Sequence, residues 1–228
     1  MADLLLPGYI FVLLRPRVRR GLQAHYPVSG DRFMLKLAIA FLYYFYNAFV
    51  TNLPLYWIRH CYLRNALRIR IGRNSAVHMG CFIAGRAITI GDNSVVNRNC
   101  FLDGRVGIEI GSNVSISAET CIISLDHDPM SPDFSTRGEK VSIADYVWTG
   151  MRTIVLPGVR LGKGCVAGAG SVVTRSFEDF SIVAGNPAKK IGERTTDLRY
   201  KPSYFPFFNT DVLPDGLQAR LSPGDHVS

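Results

Sequence analysis

Aliphatic residues recur every six positions through the middle of this 228-residue chain, and no other feature restricts its fold as tightly. The anchors run Ile71, Val77, Ile83, then Ile90, Val96, Leu102, then Ile110, Ile116, Ile122. After a break they resume at Ile143 and continue through Thr149, Val155, Leu161, Ala167 and Val173. Four places after an anchor the residue is small or β-branched, as at Ser75, Cys81, Cys100, Thr120, Thr153, Cys165 and Ser171. One place after, Gly recurs at 72, 91, 111, 150, 162 and 168, and glycine suits a tight corner. Six residues are too few for a helical repeat and fit a short strand plus a turn. Stacked end to end, such units bury one continuous aliphatic column, so the period predicts a parallel β-helix. Cys61, Cys81, Cys100, Cys121 and Cys165 have no CxxC spacing. Their number and spacing suggest a reduced compartment, not a disulfide framework or zinc ribbon, and the three at the small inward position, Cys81, Cys100 and Cys165, read as small buried residues.

The hexads resemble those of the left-handed β-helix (hexapeptide-repeat) acyltransferases, which include maltose- and galactoside-type O-acetyltransferases and enzymes of exopolysaccharide biosynthesis. Two further strings strengthen the resemblance, GAGSVV at 168–173 and GNPAKKI at 185–191. It covers about 71–194. It implies a mainly β triangular prism of about five left-handed coils, assembled as a homotrimer with donor sites in grooves between parallel prisms.

Between Ile122 and Ile143 the six-step positions are Asp128, Phe134 and Lys140, so no aliphatic column runs through them. The segment is rich in turn formers and reads as a loop leaving the prism, a favoured place for catalytic residues. It holds His127 between Asp126 and Asp128. The resemblance implies that His127 is the general base taking a proton from an acceptor hydroxyl, a task suited to imidazole near neutral pH. Asp126 is the carboxylate assigned to orient the ring, with Asp128 as the alternative.

The resemblance also implies that acetyl-CoA, as cosubstrate, binds along 143–192, with no metal required. Trp148, Gly150, Ala169 and Ser171 would line the pantetheine arm, and a backbone N–H near Gly150 would hold the oxyanion. Thr174, Arg175, Lys189 and Lys190 would meet the adenosine and phosphate end. Gly192 stands where the family often has a basic residue, and Arg194 is the candidate substitute. Asn97, Asn99 and Asp103 are matched to acceptor-binding positions, although the spacing is one residue shorter than the family's. The implied activity is acetyl transfer to a hydroxyl of a saccharide or lipid-linked saccharide, such as a cell-surface glycan intermediate. Two other classes are weighed: a γ-carbonic-anhydrase-like metalloenzyme, which needs three histidines on a metal, and a non-catalytic β-helix scaffold.

Residues 1–70 form a different region. They hold ten Lys/Arg against Asp3 and Asp31, so the whole net charge of +8 lies there, while 71–228 balance to zero. The same region contains the apolar run 33–50, eighteen residues interrupted by Lys36 and Asn47. A bilayer span needs about 20 apolar residues. The run therefore predicts a helix lying on an anionic membrane surface or packing on the β-helix. On the first alternative, Arg59, Arg64, Arg68 and Arg70 would reach lipid. Deleting 1–70 would then release the prism from membrane and leave it active. The order of the apolar and basic residues in 1–20 does not match an export signal, so a cytoplasmic protein held peripherally at the inner membrane face is expected, with no nucleic-acid partner. The tail 195–228, with its aromatic and proline cluster RYKPSYFPFFNTDV, is expected to cap the final coil or meet a neighbouring subunit.

Overall fold

A computed structural model describes residues 30–210. Strands of two or three residues alternate among three parallel sheets, here faces A, B and C, and each circuit of the three is one coil. Face A carries Arg70–Ile71, Ile88–Ile90, Ile108–Ile110, Val141–Ile143 and Arg160–Leu161. Face B runs from Ala76–Val77 to Ser181–Gly185, and face C from Phe82–Ala84 to Val172–Val173. Five coils are complete. A partial sixth ends in an antiparallel hairpin between Ser181–Gly185 and Ala188–Glu193, which occupies the open edge of face B. The solenoid is thus slightly longer than the hexads alone indicate.

The anchors sit where the period places them. From Val77 to Val173 every aliphatic anchor is buried, and Ile71 at the first coil is partly covered. Thr149, the polar member, is also buried, with its hydroxyl within 3.3 Å of the Ser117 N–H and of the Thr120 hydroxyl. Cys81, Cys100 and Cys165 fill the small inward positions.

The recurrent glycines have a different cause from the one the sequence suggests. A Cβ on Gly91 would lie 2.6 Å from the Gly111 carbonyl carbon, and one on Gly150 would lie 2.4 Å from the Ala169 nitrogen. Successive coils approach too closely for a side chain. The left-handed corner positions are taken largely by other residues, among them Asn74, Asn93, Asn99 and Asn113 with φ between 54° and 58°.

The N-terminal residues close the first coil. A helix, α1, spans Gly30–Ala48, a 3-10 turn follows at Val50–Asn52, and a second helix, α2, spans Tyr56–Asn65. A β-helix end leaves a row of unpaired backbone groups. Here side chains satisfy them on all three faces. The Asn47 amide donates to Ile83 O at 3.0 Å and accepts from Ile83 N at 2.9 Å. Thr51 Oγ1 donates to Cys81 O, His60 Nε2 accepts from Val77 N, Arg59 donates to Val77 O, and Arg64 donates to Ile71 O. Tyr46, Val50, Leu63, Leu67 and Ile69 join the same apolar core as the prism.

This arrangement corrects the expected role of Arg59, which is fully buried with its guanidinium directed at the Leu53 and Val77 carbonyls instead of at lipid. It also makes His60 sensitive to pH. Burial, and then the charges of Arg64, Arg59 and His78, push its pKa down from 6.5 to about 4. The unfolded chain therefore binds this proton more readily, so stability is lost as pH falls from about 6.5 to about 4. The shift corresponds to a loss on the order of 3 kcal/mol. Urea melts between pH 7 and pH 4 should show this loss, and a His60→Gln variant should show a shallower slope. An unchanged slope would remove His60 as the cause.

Beyond the final hairpin the tail runs back along the prism. Arg194 donates to Tyr146 O and Gly164 O, Tyr200 donates to Tyr146 O, and Ser203 donates to Asn74 O. Farther on, Tyr204 O meets the buried His78 ring, and the Asn209 side chain accepts from Met79 N. The tail thus straps the last coils to the first, while the hairpin closes the final coil.

Candidate active site

The break in the hexads is a hairpin. Leu125–His127 pairs antiparallel with Thr136–Gly138, so Asp126 stands opposite Arg137 and His127 opposite Thr136. It leaves the prism where face C of the third coil turns toward face A of the fourth. Ser124 fixes its base: the hydroxyl accepts from Val106 N and Gly107 N, and the backbone N–H donates to Asp103 O. Glycine suits position 138, since a Cβ would lie 2.9 Å from the Ser124 carbonyl oxygen and would displace the Val106 and Leu125 methyl groups.

His127 is exposed at the end of the first hairpin strand. Its Nδ1 lies 3.0 Å from Phe134 O. A carbonyl oxygen only accepts, so Nδ1 carries the hydrogen and a neutral ring presents its lone pair at Nε2. The Phe134 ring stacks on the imidazole at 3.8 Å with an interplanar angle of 13°. Phe134 has φ of 51°, a left-handed conformation uncommon for an aromatic residue. That conformation lets one residue provide both the carbonyl and the ring. Sequence reasoning missed Phe134, which showed only as a non-aliphatic residue in the broken register.

The carboxylate assignments change accordingly. Asp126 forms a two-pronged ion pair with Arg137, Nε to Oδ1 at 2.7 Å and Nη2 to Oδ2 at 3.0 Å. This cross-strand pair braces the hairpin. Asp128 Oδ1 accepts from Met130 N, shaping the turn. The ring is thus oriented by a backbone carbonyl, while both neighbouring acids hold the loop.

The remaining sequence candidates fall on two of the three prism edges, except Trp148, Lys189 and Lys190, which lie on strands of face B. Asp103, Thr174 and Arg175 lie at the C-to-A edge with the hairpin; Asn97, Asn99, Gly150 and Ala169 lie at the B-to-C edge. Asp103 is buried and held by Arg105 at 2.9 and 2.7 Å. Asn97 caps the Arg98 N–H, and Asn99 takes a left-handed corner. Gly150 and Ser171 are buried inside the prism. The Gly150 N–H already donates to Ala167 O at 2.6 Å, so it does not serve an oxyanion. Ala169, Arg175, Lys189 and Lys190 are exposed, with Lys190 paired to Glu193 at 2.7 Å. Trp148 is also exposed and donates to Ser117 Oγ. It borders a cavity of about 310 Å³ with Ser115, Arg194, Tyr200 and Pro202. Arg194 is engaged by the strap and does not substitute for the missing basic residue at 192.

Cys121 lies on face C, where burial and the Asp103 charge raise its thiol pKa and so disfavour a thiolate nucleophile. Among the described residues, no group of three or more His, Cys, Asp or Glu side chains is placed to hold a metal ion.

A solenoid whose short parallel strands carry an exposed histidine on an inserted hairpin defines a hexapeptide-repeat class of protein. The family pattern described as "Hexapeptide repeat of succinyl-transferase" matches residues 141–175. WbbJ of Escherichia coli K12, named as a candidate lipopolysaccharide-biosynthesis O-acetyltransferase, is 35% identical over 146 residues, covering 58% of this chain and 74% of its own length. Galactoside O-acetyltransferase of Lactococcus lactis is 43% identical over 84 residues, 35% of this chain. The chain spans only 40% of that relative's length. A hexapeptide-repeat acetyltransferase of Vibrio cholerae, solved with acetyl coenzyme A, superposes with a TM-score of 0.61 at 26% identity, over 72% of this chain and 90% of that one. This chain belongs to the hexapeptide-repeat acetyltransferase family.

Proposed function

We propose that the protein transfers an acetyl group from acetyl-CoA to a hydroxyl of a saccharide, with His127 as general base. The observation that carries this reading is the His127–Phe134 contact, which leaves Nε2 as the acceptor on an exposed ring. Nε2 takes the proton as the acceptor oxygen attacks the thioester carbonyl. The C–S bond then breaks, and the proton passes from the imidazolium to the departing sulfur. No acyl-enzyme is needed. A saccharide acceptor is supported by the names of the galactoside and lipopolysaccharide relatives.

The site would be completed between chains. Ala169 and the His127 hairpin lie on opposite edges of face C, whose strands of two or three residues are about 7 to 10 Å long. A neighbouring prism would bring the two edges together. The outer side of face C suits that contact, because Phe82 and Phe101 stack there at 5.0 Å beside Cys121, Ile154 and Val172. These residues form an apolar surface of the kind that a second copy covers.

Free-thiol release from acetyl-CoA, measured with a panel of neutral and amino sugars, tests the reading. Thiol release with a neutral saccharide, giving a base-labile ester, is the expected result, from a particle of three times 25.3 kDa. Acetylation confined to amino groups would overturn the hydroxyl assignment, and a fully active monomer would overturn the shared site.

A further inference from the structure

The outer side of α1 is not used by the cap. At 100° per residue, Phe33, Met34, Leu37, Phe41, Tyr44 and Phe45 fall on one 120° arc, and each is between 39% and 62% exposed. Leu42, Tyr43 and Tyr46 fall on the opposite side and pack against the core. The exposed arc is about 20 Å long and contains no charged residue. Leu53, Leu55 and Trp57, the last 70% exposed, add to the apolar surface after the helix. Monomeric soluble proteins rarely leave so much contiguous apolar surface uncovered.

We propose that this surface seats the protein on an anionic lipid bilayer, with α1 lying in the interfacial plane. Charge complementarity selects the occupant. Residues 1–70 carry the net charge of +8, and, with Arg59 turned into the cap, the charges that support this occupant are Lys36 within the helix and Arg15, Arg17, Arg19 and Arg20 before it in sequence. Such a distribution matches an anionic surface. Tyr44 and Trp57 are of the ring types that favour headgroup depth.

The cap also decides between lying on the bilayer and crossing it. By length and composition Phe33–Asn52, with mean hydropathy 1.5, is apolar enough to span. However, Asn47 and Thr51 are bonded to the edge of face C, and Tyr46 and Val50 are part of the prism core. That half of the segment is part of the protein and does not enter lipid while the cap is formed. Asn47 places the C-terminal end of α1 at the free edge of Phe82–Ala84, residues 33–41 are exposed on every side, and the coils rise away from that edge. The hairpin of the third coil then stands about 10 Å above the first coil, at roughly 4.8 Å per coil.

Flotation of the full chain with vesicles of phosphatidylcholine, alone or mixed with phosphatidylglycerol, tests the proposal. The expected result is binding to the mixed vesicles, reduced roughly 10-fold or more in a Leu37→Glu/Phe41→Glu variant of unchanged melting temperature. If that variant does not fold, brominated lipid should quench Trp emission in the unaltered protein and lose that quenching in Trp57→Phe. Thiol release with a soluble sugar, measured alongside, reports the acyl-transfer reading separately. Three results would overturn the proposal: no flotation of the full chain, equal flotation of a folded double variant, or a lower molar mass of that variant without lipid. The last would assign the stripe to a second copy of the chain.

Discussion

His127→Ala should lower acetyl transfer by about 100-fold or more while acetyl-CoA binding persists, the range lost with a general base. The side chain is exposed, and its hydrogen bond to Phe134 O joins it to the loop it stands on, so its removal leaves the prism core untouched. Phe134→Ala keeps the carbonyl and removes the stacked ring. Since an aromatic pair contributes about 0.5–1.5 kcal/mol, that variant should lose only about 2- to 10-fold. The order of the two effects distinguishes a group that moves the proton from one that positions it. Thiol-release kinetics with saturating acetyl-CoA, beside calorimetric binding of the donor, provide both readouts. A folded His127→Ala protein with near-normal turnover would place the chemistry elsewhere on the prism.

The solenoid was legible because its determinant is local and periodic: one aliphatic residue every six, from Val77 to Val173, buried in a single column. The break at 123–142 was legible for the same reason. What the period could not show was the reason for its own glycines. A coil's distance from the next is a property of the stack, so the 2.4 Å approach at Gly150 has no signature within one hexad. The support of His127 was misread because sequence proximity favoured Asp126, whereas antiparallel pairing set Asp126 against Arg137. A backbone carbonyl seven residues away held the ring instead. Among the donor candidates, small size identified Ser171 and Gly150, yet small residues on this scaffold also fill the interior, and both are buried. The cap was the least legible part. Its contacts join residues 7 to 36 apart and pair side chains with backbone groups, which leave no pattern in residue type.

Those contacts set the second large effect. Deleting 1–70 should not leave a free, active prism, contrary to the reading of that region as a detachable membrane segment. The deletion removes Tyr46, Val50, Leu63, Leu67 and Ile69 from the core. It also leaves the edges of Ala76–Val77 and Phe82–Ala84 without the groups that satisfy them. Exposed strand edges template association, so aggregation of the truncated chain is expected. A single substitution tests the same point more gently. Leu63 is fully buried on the inner side of α2, and Leu63→Ala should cost about 2–5 kcal/mol in urea unfolding. Phe41→Ala, on the outer side of α1 and 59% exposed, should stay within about 0.5 kcal/mol. A large gap between these two variants means that the N-terminal helices have two separable roles, closing the solenoid through the inner side of α2 and leaving the outer side of α1 for another surface. Equal, small losses, or a soluble truncated prism of undiminished stability, would show that the first coil closes without it.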